Sequence, residues 1–197
     1  MARLILLLVI AAALVIALVW DQRGRRDARI ARLRWAFVHG TPPAGYGRPA
    51  NLEPVVHPGG LTFRAPTSWT IDVGERRTSD DPAPGVARRV HVELIRLEAQ
   101  GSSGTESVTS AMKTLETTGD SSLEVLANGN VLMKALERSR KDLIASYVWR
   151  LGHARPPRGI QIAIFRLGFP VEAAAEVIAQ SDLATLDREV REAAFSD

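Results

Sequence analysis

The chain has no cysteine. That excludes a disulfide scaffold, thiol chemistry, cysteine-bound zinc and a lipid-carrying cysteine. Lysine is scarce, with 3 Lys against 22 Arg, a ratio that reads as genome composition rather than as a phosphate-binding surface. Catalytic signatures are also missing: there is no G-x-S-x-G, no G-x-x-x-x-G-K-[ST] and no H-E-x-x-H. The four histidines, His39, His57, His91 and His153, are scattered. His91 and Glu93 share a strand face, but two ligands fall short of the three or four that zinc takes, so they read as a polar exposed face. Gly101-Ser-Ser-Gly104 precedes a helix without a following lysine and reads as a turn, not an anion cradle. Glu75, Asp80 and Asp81 lack the regular oxygen spacing of a calcium loop. No enzyme, metal or cofactor is expected. Disorder is excluded too, because 46% of the residues are hydrophobic.

What is present is unevenly placed. Residues 1–40 hold seven arginines against Asp21 and Asp27, a charge of +5 out of the net +3, so the remainder carries −2. The high pI belongs to the N-terminus, and a nucleic-acid-binding face is not expected. Leu4 to Trp20 is an unbroken apolar run, LILLLVIAAALVIALVW. As a helix it covers about 25 Å, near the roughly 30 Å of a bilayer core. Arg3 and Arg23 can snorkel, and Trp20 stands where an interfacial aromatic belongs. Ala17-Leu18-Val19-Trp20-Asp21 is a poor cleavage site, so an uncleaved anchor over 1–20 is expected rather than a signal peptide. The arginines after the span place the following domain in the cytoplasm by the positive-inside rule.

Residues 21–38 predict a basic juxtamembrane amphipathic helix. Ile30, Leu33 and Phe37 recur at +3 and +4, and Arg25, Arg29 and Arg32 line another face. Lying at anionic phospholipid headgroups, each arginine is worth about 1 kcal/mol. Trp20, Arg23, Arg25, Arg26, Arg29, Arg32 and Phe37 are therefore the candidate membrane or partner contacts; the plainer alternative is a helix packed on the protein's own domain. Residues 39–60 hold five Pro and five Gly in 22 positions and predict a linker without regular structure.

Residues 61–197 predict a soluble α+β domain. Leu61–Arg64 is a short strand stopped by Ala65-Pro66, Thr70–Val73 a second, and residues 86–97 alternate as a third. Ser103-Gly-Thr-Glu106 has capping-box spacing before a helix at 105–118. LEVLA (123–127) and VLMKALE (131–137) flank Asn128-Gly129, a hairpin signal. The strands at 143–149 and 160–167 are apolar on both faces, so both faces must be covered. The expected fold is an antiparallel sheet with helices above and below it, preceded by one transmembrane helix. Val171, Ala174 and Ile178, then Leu183, Leu186 and Val190, mark C-terminal helices.

The run Leu61-Thr-Phe-Arg-Ala-Pro-Thr-Ser-Trp69, followed by strands, a central helix, more strands and a terminal helix, resembles the PsbP/Mog1/DcrB-like superfamily over 61–195. The resemblance implies an α/β/α module without catalysis, acting as an accessory or assembly factor of a larger complex, and on the periplasmic or extracytoplasmic side of the membrane. Phe63, Pro66 and Trp69 match as structural positions. The function expected is that of a single-pass membrane-anchored, non-catalytic accessory subunit of a membrane protein complex. One rival is an anchored module for a small molecule or lipid, with an apolar cavity around Trp149 and the C-terminal helices. The other is an anchored hydrolase.

Overall fold

The computed structural model describes residues 2–40, 48–74, 89–99, 104–115, 121–138, 144–170 and 180–196, with side chains except those of 2–9, Pro170 and Gln180. A long helix α1 (Ala2–His39) comes first. Strands β1 (Leu52–His57), β2 (Leu61–Pro66), β3 (Thr70–Val73) and β4 (Arg89–Glu98) follow. Then come helix α2 (Thr105–Thr114), strands β5 (Ser121–Val125), β6 (Val131–Arg138), β7 (Ile144–Arg155) and β8 (Gly159–Pro170), helix α3 (Gln180–Arg191) and the short strand β9 (Ala194–Phe195).

A six-stranded sheet in the order β3-β4-β8-β7-β6-β5 forms the body of the domain. Its pairs are antiparallel except β3 with β4, which run parallel, Thr70 opposite Arg89. The expected antiparallel sheet is thus a mixed one. Alternating hydrophobicity does not encode strand direction, and the 15 residues between Val73 and Arg89 are long enough for a parallel crossover. Asn128-Gly129 does lie in the β5–β6 hairpin. Gly129 takes φ +82, Asn130 N–H donates to Asn128 Oδ1 at 3.1 Å, and the connection spans five residues, 126–130.

A second sheet, β1-β2-β9, overturns the expectation that 39–60 lacks regular structure. Residues 52–57 pair antiparallel with β2, Leu52 opposite Pro66 and His57 opposite Leu61. Proline density had argued against a strand, but Pro54 is exposed on an edge strand, where a missing N–H removes no necessary ladder bond. Arg48 ties the approach to this strand onto α3, where its Nε donates to Glu189 Oε1 at 3.1 Å and its guanidinium also pairs with Glu192. Residues 48–57 are thus part of the folded unit rather than a linker.

The large sheet is apolar on both sides, as its strands require. One side carries Leu132, Leu136, Tyr147, Trp149, Ala163, Phe165 and Leu167; it is covered by Leu61 and Phe63 of β2, Ile30 of α1, and Leu186 and Val190 of α3. Residues of opposite parity, Val131, Met133, Val148, Ile160, Ile162 and Ile164, form the other side under Val108 and Met112 of α2. Helices thus lie on both faces. Gly152 permits the close seat of α2, since a Cβ there would fall 2.4 Å from Val108 Cγ1. Helix α2 has Gly104 at its N-cap, which gives no side-chain cap, and Ser103 of the expected capping box lies outside the described residues. The first expected C-terminal helix, with Val171, Ala174 and Ile178, also lies outside them.

Candidate membrane-contact helix and its seat on the domain

Helix α1 runs without a break from Ala2 to His39, joining the segments expected as anchor and juxtamembrane helix. Its described side chains divide into two groups. From Ile10 to Gln22 every one is exposed, including Leu14 at 66% and Trp20 at 74%. From Arg26 onward one face turns into the domain. Ile30 is 2% exposed, Val38 is buried as deeply, and Leu33 and Phe37 pack on the core cluster. The spacing 30, 33, 37 is the helical repeat that suggested an amphipathic stripe.

Phe37, expected against lipid or a partner, is therefore corrected to an internal contact. Its ring meets Tyr147 and Trp149 edge-on, each with centroids 4.8 Å apart. Arg26 and Arg29 flank the seated face, half-buried and engaged with neighbours. Arg23, Arg25 and Arg32 remain exposed, Arg25 pairing with Asp21 at 2.9 Å. Arg25 and Arg32, seven residues apart, share the outer face, and Trp35, 66% exposed, follows Arg32 by three residues on the same side of the helix. Among the described residues, no helix is long and apolar enough to cross a membrane. Side chains 4–9 of the expected span lie outside those residues.

The seat of α1 is fixed by polar groups that no sequence pattern disclosed. Arg138 at the end of β6 donates from Nη2 to Asp27 Oδ1 at 2.9 Å. Deeper in, Lys134 Nζ lies 5.5 Å from the Phe37 ring centroid and 3.9 Å from Asp187 Oδ1. Asp187 is nearly buried and accepts from Trp149 Nε1 at 3.0 Å and Arg191 Nε at 2.8 Å. Arg191 reaches Glu124 with two further bonds of 2.9 and 2.8 Å. Burial lowers the Lys134 pKa against the pull of Asp187, while the Arg191 hydrogen bond holds Glu124 below the usual carboxylate value. Burial alone pushes the Tyr147 phenol up to about 12. These groups hold one another in place.

Of the other candidate chemistry, the part among the described residues does not come together, and Glu75, Asp80, Asp81 and Gly101 to Ser103 lie outside them. Glu93 is bonded to Arg166 at 2.8 Å, within a row on the α2 side that continues to Glu137 and the 2%-exposed Arg150. Among the described residues no group of three His, Asp or Glu could hold a metal ion. At Trp149, where a cavity was expected, the indole is fully buried, with Phe37 edge-on to it, Tyr147 tilted beside it and its Nε1 donating to Asp187; the first of the C-terminal helices expected to line that cavity lies outside the described residues. A groove of about 650 Å³ lies elsewhere, between α2 and β4, lined by Ser107, Ser110, Thr114, Leu97, Ile160 and Glu98 among others. It brings together hydroxyls and aliphatic carbons with one carboxylate, and no histidine.

Fold and helix together define an α+β domain of two sheets carried on a long N-terminal helix. No protein-family model matches the chain, and no curated protein matches it.

Proposed function

We propose that the protein is a single-pass membrane-anchored, non-catalytic accessory or assembly subunit of a larger membrane protein complex. One observation carries this reading: a helix seated on the domain by Ile30, Leu33, Phe37 and Val38 continues into a stretch whose described side chains, Ile10 to Val19, are apolar and exposed. Such a surface in water is unfavourable by about 25 cal/mol per Å². A bilayer is the solvent that removes the penalty, and the continuous run Leu4–Trp20 supplies the length. Arg23 and Arg25 then stand at the height of anionic phospholipid headgroups, with Trp20 at the interface, while Arg32, about 18 Å beyond Trp20, lies past that layer. The arginine distribution favours a cytoplasmic domain. The PsbP/Mog1/DcrB-like resemblance is supported by a sheet covered by helices on both faces, and it favours the extracytoplasmic side.

Membranes containing the full chain, washed with alkaline carbonate, should retain it in the pellet, and purification in mild detergent should bring further subunits with it. Release into the wash would remove the anchor; a lone monomer in detergent would remove the accessory role. Protease treatment of sealed vesicles of both orientations decides which side the domain occupies.

A further inference from the structure

The way α1 lies on the sheet gives the domain a membrane-facing end. Asp27 meets Arg138, the last residue of β6, and ten residues later Phe37 lies over Lys134, four residues back along β6. Ten residues of helix rise about 15 Å and four of strand about 13 Å, so this part of α1 runs nearly along β6. Followed toward its N-terminus, the helix passes the point where β6 ends and β7 begins, then leaves the sheet. Trp20 is seven residues before Asp27, about 10 Å further out. The polar layer of a bilayer is about 5–8 Å deep on each side.

We infer that the end of the domain marked by Arg138 and the start of β7, together with Arg23 of α1, rests on the phospholipid headgroup layer. The β5–β6 and β7–β8 turns point away from the membrane. This rests on α1 being the anchor. The exposed Arg23 guanidinium at this end suits phosphodiester oxygens, while that of Arg138 is engaged with Asp27. The opposite end is remote, since β7 has 12 residues and its far turn, Pro156 to Arg158, lies about 40 Å from Ile144. A domain on a flexible tether would have no preferred end; the buried seat of Ile30 and Phe37 against the sheet is what selects one.

The absence of cysteine allows a direct test. Full-length single-cysteine variants Leu14→Cys, Arg138→Cys, Ser121→Cys and Arg158→Cys are labelled with a polarity-sensitive fluorophore. They are reconstituted into vesicles of phosphatidylcholine and phosphatidylglycerol carrying spin labels on the acyl chain or on the headgroup. Leu14 should be quenched by the acyl-chain label. The headgroup label should quench Arg138 most, Ser121 less, and Arg158 at least five-fold less than Arg138. Ser121→Cys leaves the Asp27–Arg138 pair intact, so it reports on position even if the Arg138 substitution loosens α1. Quenching at Leu14 with equal headgroup quenching at Arg138, Ser121 and Arg158 overturns the orientation and leaves the anchor standing. No acyl-chain quenching at Leu14 overturns both.

Discussion

Asp187 joins three elements through one buried carboxylate. It accepts hydrogen bonds from Trp149 of β7 and Arg191 of α3 and is the counter-charge of Lys134 of β6 at 3.9 Å. Asp187→Ala would leave Lys134 buried without its counter-charge and the indole N–H without an acceptor. The expected loss is about 3–5 kcal/mol of stability in a urea titration. Lys134→Met should lose clearly less, because Asp187 keeps its other two donors. His57 gives a pH dependence of defined sign. It is 8% exposed, and its Nδ1 accepts from Gly59 N–H at 2.9 Å. Burial, and then the nearby His91, lowers its pKa. The unfolded chain therefore takes up this proton first. Stability falls as pH drops below the ordinary histidine value of about 6.5, and levels off below the folded value. His57→Gln should flatten that slope in urea midpoints measured between pH 7 and pH 5.

At the scale of elements, Gly152 decides how closely α2 sits. A methyl group there would fall 2.4 Å from Val108 Cγ1 and 2.7 Å from Met112 Sδ. Gly152→Ala should cost about 1–3 kcal/mol through overpacking. Val108→Ala in the same chain should recover part of that loss, which thermal unfolding of the double variant would show. The elements themselves were largely legible beforehand. β3 begins and ends where expected, and β6, β7 and β8 follow from apolar runs whose two parities now face different helices. Two things were not legible, for a physical reason in each case. Pro54 hid β1, because a proline is compatible with a strand only at an edge and position in a sheet is a tertiary fact. The parallel β3–β4 pair was hidden because side-chain alternation is the same for either direction.

At the scale of the molecule, the two halves of α1 differ in what they contribute. A chain beginning at Asp21 should keep its urea midpoint, since the described side chains from Ile10 to Trp20 are exposed and bury nothing on the domain. A chain beginning at His39 loses Ile30 and Val38, both 2% exposed, and should be weaker by about 3–6 kcal/mol. The candidate contact residues were legible to a matching degree. Trp20, Arg23, Arg25 and Arg32 stand on the surface, as a polar-and-aromatic flank after an apolar run implies. Phe37 does not, because the same 3–4 spacing marks a stripe against lipid and a stripe against one's own sheet. Only the partner decides between them, and here it is Tyr147 and Trp149.

If α1 is the anchor proposed above, a helix that runs unbroken from Ala2 to His39 and packs on the sheet along its last third acts as a lever. Anchors adjust to bilayer thickness by leaning. For a sheet that moves with its helix, a lean of about 10° would sweep the turn at Pro156-Pro157, some 40 Å away, sideways by roughly 7 Å. Membrane thickness would thereby set where the outermost turns of this domain can meet a neighbour.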